Sequence, residues 1–210
     1  MGLIFEVEIE EEEEEVQEDV AAVLVPPPNF AAVEEGIYRS ALPGKINFAF
    51  LETLGLRSII YLCQEPYPEE NLGFIRCRNI RLFQFGTEGT KKSCAAELRR
   101  SIVEALRVLI DVRNCPVLIH CKQGKHRTGC LVACLRKLQN WCLPAVFEEY
   151  KNYAGEKSRA GDLKFIEEFE LDSLKLCMYS IIYQYHGYDF NKRRLLYHED
   201  PLPLTRIKSL

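Results

Sequence analysis

Along the chain, short continuous apolar runs alternate with apolar residues set at helical spacing. Ser58-Ile59-Ile60-Tyr61-Leu62 and Pro116-Val117-Leu118-Ile119 are too short for helices. They read as buried strands, the second as a parallel one. From Glu97, the residues Leu98, Ile102, Leu106, Leu109 and Ile110 recur every three or four positions and predict a helix. Leu131, Leu135 and Leu138 predict another over 128–140, and further helices fit about 144–154 and 162–176. A short helix near 69–77 follows the breaks at Pro66 and Pro68. Gly36-Ile37-Tyr38-Arg39 reads as a short strand ended by the Leu42-Pro43-Gly44 turn, and Ile80 to Phe85 as a weaker one. Asn47 is placed to cap a helix running to about Leu54, with Gly55 just past its end. Residues 86–96 read as a loop. Strands alternating with helices imply an α/β fold, a central and mostly parallel sheet flanked by helices.

Charge divides the chain more sharply than hydropathy does. Residues 6 to 19 hold ten acidic side chains and no basic one. The remaining residues carry 21 acidic against 27 basic groups, so an acidic tail precedes a basic body. The tail is expected to repel itself and stay disordered over residues 1–25. Pro26-Pro27-Pro28 marks the start of a domain expected over 26–172. Residues 173–210 are expected to form a partly helical C-terminal extension. A basic body suits an anionic partner, whether nucleic acid, phosphoprotein or small polyphosphate. No apolar run approaches the 18 or more residues of a spanning helix, and no secretory signal is read at the start. Nine cysteines without a Cys-x-x-Cys pair read as reduced thiols of a cytoplasmic or nuclear protein, with no zinc site expected.

The chemistry concentrates in His120-Cys121-Lys122-Gln123-Gly124-Lys125-His126-Arg127-Thr128-Gly129, between a buried strand and a helix start. Five residues between Cys121 and Arg127 suffice to wrap a loop whose backbone N–H groups point inward. Such a nest on a helix N-terminus binds a tetrahedral oxyanion. The same positive field favours the thiolate of Cys121. Arg127 is placed to hold two phosphate oxygens at once. Gly124 permits close backbone approach. Thr128 is placed to donate to the Cys121 sulfur. His120 is expected to pack beneath the loop rather than act as a base.

The run His-Cys-x5-Arg-Thr resembles the signature of the cysteine-dependent protein tyrosine and dual-specificity phosphatases. The stretches 36–40, 54–62, Glu65-Pro66-Tyr67-Pro68 and 120–129, with Trp141-Cys142-Leu143, are similar to the plant and fungal atypical dual-specificity phosphatases. The similarity covers roughly residues 26–172. It implies a compact phosphatase domain with Cys121 at the end of a central strand. It also implies an inositol pyrophosphate phosphatase, some members also acting on phosphotyrosine peptides. The loop fits that implication, because Lys122, Gln123, Gly124, Lys125 and His126 beside Arg127 offer more positive charge than one phosphoryl group needs. Thr90, Lys91 and Lys92 add to the substrate-binding set if the 86–96 loop folds over the site.

The general acid is where the chain departs from the family's pattern. No Pro-acid pair follows the Glu88-Gly89-Thr90-Lys91 segment, and Arg99 falls where the acid is due. Glu88 and Glu97 are the nearest candidates, with Glu97 also readable as the first-turn acid of its helix. A tyrosine phenolate leaves with a pKa of about 10. A phosphate leaves with a second pKa of about 6 and needs far less protonation. The reading is therefore a metal-independent and cofactor-independent cysteine phosphatase acting on a polyanionic inositol pyrophosphate, with phosphoproteins as further candidates and no nucleic-acid role. A tyrosine or dual-specificity phosphatase and a weakly active phosphate-binding module remain the alternatives, with a sulfurtransferase or arsenate reductase more remote.

Overall fold

The computed structural model describes residues 24–86 and 95–172, Leu174, and the backbone of residues 185–189 and 194–197. Five strands form the main sheet: β1 (Ala31–Glu34), β2 (Ile37–Ser40), β3 (Ser58–Tyr61), β4 (Arg81–Gln84) and β5 (Val117–His120). Their order is β1-β2-β5-β3-β4, with β1 antiparallel to β2 and every other pairing parallel. The two strands expected to be buried, β3 and β5, are buried at every residue and lie side by side in the sheet. Their register sets Tyr61 against His120. Parallel strands covered on both faces need no polar alternation, which is why these runs read as continuous apolar segments. The buried Ser58 hydroxyl of β3 donates to the Asn114 carbonyl at 2.6 Å.

Among the described residues six helices flank the sheet: α1 (Phe48–Thr53), α2 (Glu69–Cys77), α3 (Ala95–Ile110), α4 (His126–Leu138), α5 (Leu143–Ala154) and α6 (Ala160–Glu167). In α3 the spaced residues Ile102, Leu106 and Leu109 are buried as expected. Helix α4 begins two residues before the expected start, inside the signature loop. It is also no one-faced helix, since Thr128 to Arg136 are buried without a break. It packs against α3, α5 and α6 at once, so each of its sides is covered. Asn140, in the left-handed region at φ 63°, follows its end.

Helix α6 stops at Glu167, short of the expected 176. Lys137 of α4 explains the stop, because its ammonium donates to the carbonyls of Ile166, Glu167 and Phe169 at 2.7–2.9 Å. A cation on the last carbonyls satisfies a helix end. Asn47 does not cap α1 with its side chain. Its Oδ1 accepts from the Gly44 N–H at 2.9 Å and its Nδ2 donates to the Val25 carbonyl, closing the preceding 3-10 turn (Lys45–Asn47).

Strand β1 was not foreseen. Arg136 of α4 holds it, donating to the Val33 carbonyl at 2.8 Å and pairing with Glu34 at 2.9 Å and with Glu149 of α5 at 2.9 Å. Of the C-terminal extension, Leu174 is buried in the core, and β6 (Tyr185–Asp189) pairs antiparallel with β7 (Arg194–Tyr197). The acidic tail lies outside the described residues. Among the described residues no helix is long and apolar enough to cross a membrane.

Candidate active site

Strand β5 ends at His120, between β2 and β3, and the chain then turns through residues 121–125 into α4. Cys121 is buried at the base of this turn. Three successive carbonyls of the loop are bound from outside. The Lys122 carbonyl accepts from the Leu42 N–H at 3.2 Å, Gln123 from the Asn29 amide at 2.8 Å, and Gly124 from Arg39 at 3.0 Å. A planar trans peptide points its N–H opposite its carbonyl. The N–H groups of Gln123, Gly124 and Lys125 therefore turn to the concave side, which is the expected oxyanion nest.

Gly124 is needed for this shape. It sits at φ +66°, and a Cβ there would lie 2.5 Å from the Ser40 carbonyl carbon and oxygen. The loop thus rests directly on the end of β2. Arg39, read from sequence only as part of a strand, is the buried strut beneath it. It is 1% exposed and stacks 3.6 Å over the Tyr153 ring of α5. Burial lowers its pKa to about 10, and it remains a cation at neutral pH.

The loop's side chains part into two flanks. On one, Lys122 pairs with Glu65 at 2.9 Å, so this predicted substrate-binding lysine already has a carboxylate partner. Arg127, in the first turn of α4, donates to the Leu62 carbonyl at 3.1 Å, using one of its five N–H donors. It borders a cleft lined by Leu62, Gln64, Phe85, Gly86, Leu98 and Ile102. On the other flank, His126 turns its Nδ1 inward, 3.1 Å from Asp162 Oδ2 and 3.2 Å from the Tyr150 hydroxyl. Tyr150 donates to the same carboxylate oxygen at 2.5 Å. Burial, with Arg159 and Lys125 nearby, lowers the His126 pKa against the pull of Asp162. His126 is therefore neutral at pH 7 and donates from Nδ1. The sequence reading placed it among the substrate contacts; the structure also ties it to α5 and α6.

His120 is fully buried with its Nε2 3.1 Å from the Tyr67 hydroxyl. Burial takes its pKa down to about 3, so it is a neutral packing residue, as expected. Cys63 is also buried here. Burial raises its pKa, and the nearby Cys121 raises it further. The Thr128 hydroxyl is buried but forms no hydrogen bond among the described residues, and the expected bond to the Cys121 sulfur is not made. Glu97 lies in the first turn of α3. Arg99 donates to the Glu168 carbonyl at 2.8 Å and lies over the Phe169 ring, directed toward the end of α6. Glu88, Thr90, Lys91 and Lys92 lie outside the described residues. Among the described residues no group of three or more His, Cys, Asp or Glu side chains could hold a metal ion. Sequence reasoning missed Asn29, Arg39, Tyr150, Arg159 and Asp162, whose link to the loop exists only in the folded chain.

A thiol at the foot of an amide-lined loop, with an arginine at its rim and a parallel strand beneath, defines a cysteine-dependent phosphatase. Residues 24–182 match the tyrosine phosphatase family, and the chain belongs to it. The inositol diphosphatases DSP3 and DSP5 of Arabidopsis thaliana are 60% and 61% identical to it over 178 residues. Those alignments span 85% of this chain and 88% and 87% of the relatives. The core catalytic domain of the PP-IP phosphatase SIW14 from Saccharomyces cerevisiae, solved with citrate, superposes with a TM-score of 0.70 at 43% identity. That match covers 75% of this chain and 95% of the yeast domain.

Proposed function

We propose that the chain hydrolyses the β-phosphate of a diphosphoinositol polyphosphate through a phosphocysteine intermediate. The observation that carries the reading is the inward-facing amide set of Gln123, Gly124 and Lys125, bordered by Lys125 and Arg127. The relatives named inositol diphosphatases support the substrate class. The Cys121 thiolate attacks phosphorus, and the P–O bond to the inositol-bound phosphate breaks as the S–P bond forms. The loop amides and Arg127 stabilise the equatorial oxygens as charge builds on them. The departing phosphate needs little protonation, so a dedicated acid contributes less than it would for a phenol. Water then attacks phosphorus, its proton passes to the released phosphate, and the thiolate is regenerated.

Phosphate release from a diphosphoinositol pentakisphosphate and from a phosphotyrosine peptide, both in EDTA, tests this. The expected result is a kcat/KM for the diphosphate at least tenfold above that for the peptide. The reverse ratio overturns the substrate reading. Turnover lost in EDTA and restored by a metal overturns the mechanism.

A further inference from the structure

We propose that Arg159 and Lys125 form a second phosphate subsite on the α6 side of the loop, taking a ring phosphate other than the one transferred. The inference rests on the polyphosphate reading above and names the side chains that read the extra charge.

The argument starts from how the N-terminal end of α6 is held. Tyr150 and His126 both converge on Asp162 Oδ2. The Arg159 carbonyl accepts from the N–H groups of Asp162 and Leu163 at 3.1 and 3.2 Å. Residue 159 is thereby fixed against the loop. Its charge is felt at His126, where it opposes a proton, and at Cys130 in the next turn of α4. Lys125 acts on His126 in the same sense. Lys125 precedes His126 in the chain, and Arg159 lies three residues before the Asp162 that His126 bonds at 3.1 Å, so both cations belong to this flank of the loop.

Neither cation is neutralised by an ion pair among the described residues. Glu156 and Asp162 each lie three residues from Arg159; Asp162 spends Oδ2 on a hydroxyl and an imidazole, and neither forms an ion pair with Arg159 among the described residues. The opposite flank differs, since Lys122 is matched by Glu65 there. Arg159 is exposed, and it presents a planar guanidinium that suits phosphate oxygens. Apart from Arg127, which serves the transferred phosphate, the unbalanced positive charge of the loop lies on the α6 side. A substrate with several phosphates gains its extra contacts there. A substrate with one phosphate gains nothing from them.

The test uses inositol hexakisphosphate binding to the full chain carrying Cys121→Ser, which does not depend on turnover. Adding Arg159→Ala should weaken that binding about ten- to a hundredfold, the range of a charge-assisted contact. Arg159→Lys should recover much of it, and the salt dependence of binding should flatten in the alanine variant. Tungstate binding to the same proteins reads the loop alone, and its loss should be at least tenfold smaller. Lys164→Ala, on the same helix but paired with Glu168, should bind the hexakisphosphate like its parent. Hexakisphosphate affinity within twofold of the parent in Arg159→Ala overturns the subsite. Equal losses for hexakisphosphate and tungstate also overturn it, because they would mean a damaged loop. If the wild-type chain leaves diphosphoinositols uncleaved while these binding differences hold, the reaction reading fails and the subsite stands.

Discussion

Replacing Gly124 by alanine tests whether the loop's shape, and not only its cysteine, sets the rate. Two separate costs follow from the structure. The residue sits at φ +66°, where a side chain costs about 1–2 kcal/mol. The new Cβ would also lie 2.5 Å from the Ser40 carbonyl and 2.7 Å from the Ala41 nitrogen. Ordinary carbon contacts sit near 3.5 Å, so the loop or the end of β2 must give by roughly 1 Å. Overpacking of that kind costs about 1–3 kcal/mol. At about 2–4 °C per kcal/mol for a chain of this size, the melting temperature should fall by roughly 5–15 °C. The catalytic penalty is larger in proportion, since a 1 Å misplacement of reacting groups costs on the order of a hundredfold. The assay is kcat on a small aryl phosphate, run well below the variant's melting temperature. Gly55→Ala separates the two costs, because Gly55 has φ +58° with nothing within 4 Å of its Cβ. It should lose about 1 kcal/mol of stability and none of its kcat. A Gly124→Ala enzyme with kcat within threefold of the parent would refute the argument that contact with β2 shapes the nest.

Two other outcomes can be measured on the same protein. Cys121→Ser should abolish turnover on every substrate while keeping tungstate binding, because the hydroxyl stays protonated where a thiol ionises; more than a few per cent residual kcat would remove Cys121 from the nucleophile's role. His120 should make the fold acid-sensitive, since its pKa is about 3 when folded against an ordinary 6.5. The unfolded chain binds the proton more readily between those values, so stability should fall as pH drops below 6.5, by about 1.4 kcal/mol per pH unit from this group. Urea unfolding of wild type and His120→Gln across that range checks it, and identical slopes would contradict it.

What could be read in advance was whatever is written locally. The signature loop is ten consecutive residues, and strands β3 and β5 announce themselves as unbroken apolar runs. Helix α3 has one buried face, and its spacing showed it. Helix α4 lost its expected amphipathic character because partners cover it all round. The end of α6 was illegible, since the cation that stops it comes from Lys137, some 30 residues earlier. Counting charges also misjudged Lys122, whose partner Glu65 comes from the segment after β3. Arg39 looked like a strand residue, and nothing around it in sequence marks it as the strut of a loop 85 residues away.

The loop's external contacts bear on how activity arises during folding. Arg39 reaches Gly124 across 85 residues, Arg127 reaches Leu62 across 65, Lys122 reaches Glu65 across 57, and His126 reaches Asp162 across 36. Contacts of long sequence separation close late, after shorter-range structure has paid its loop entropy. A nascent chain that has emerged as far as Thr128 carries the whole ten-residue motif except its last glycine, yet lacks α5 and α6, which brace it. Turnover is then a global property that needs all four contacts, and its return during refolding times the completion of the domain.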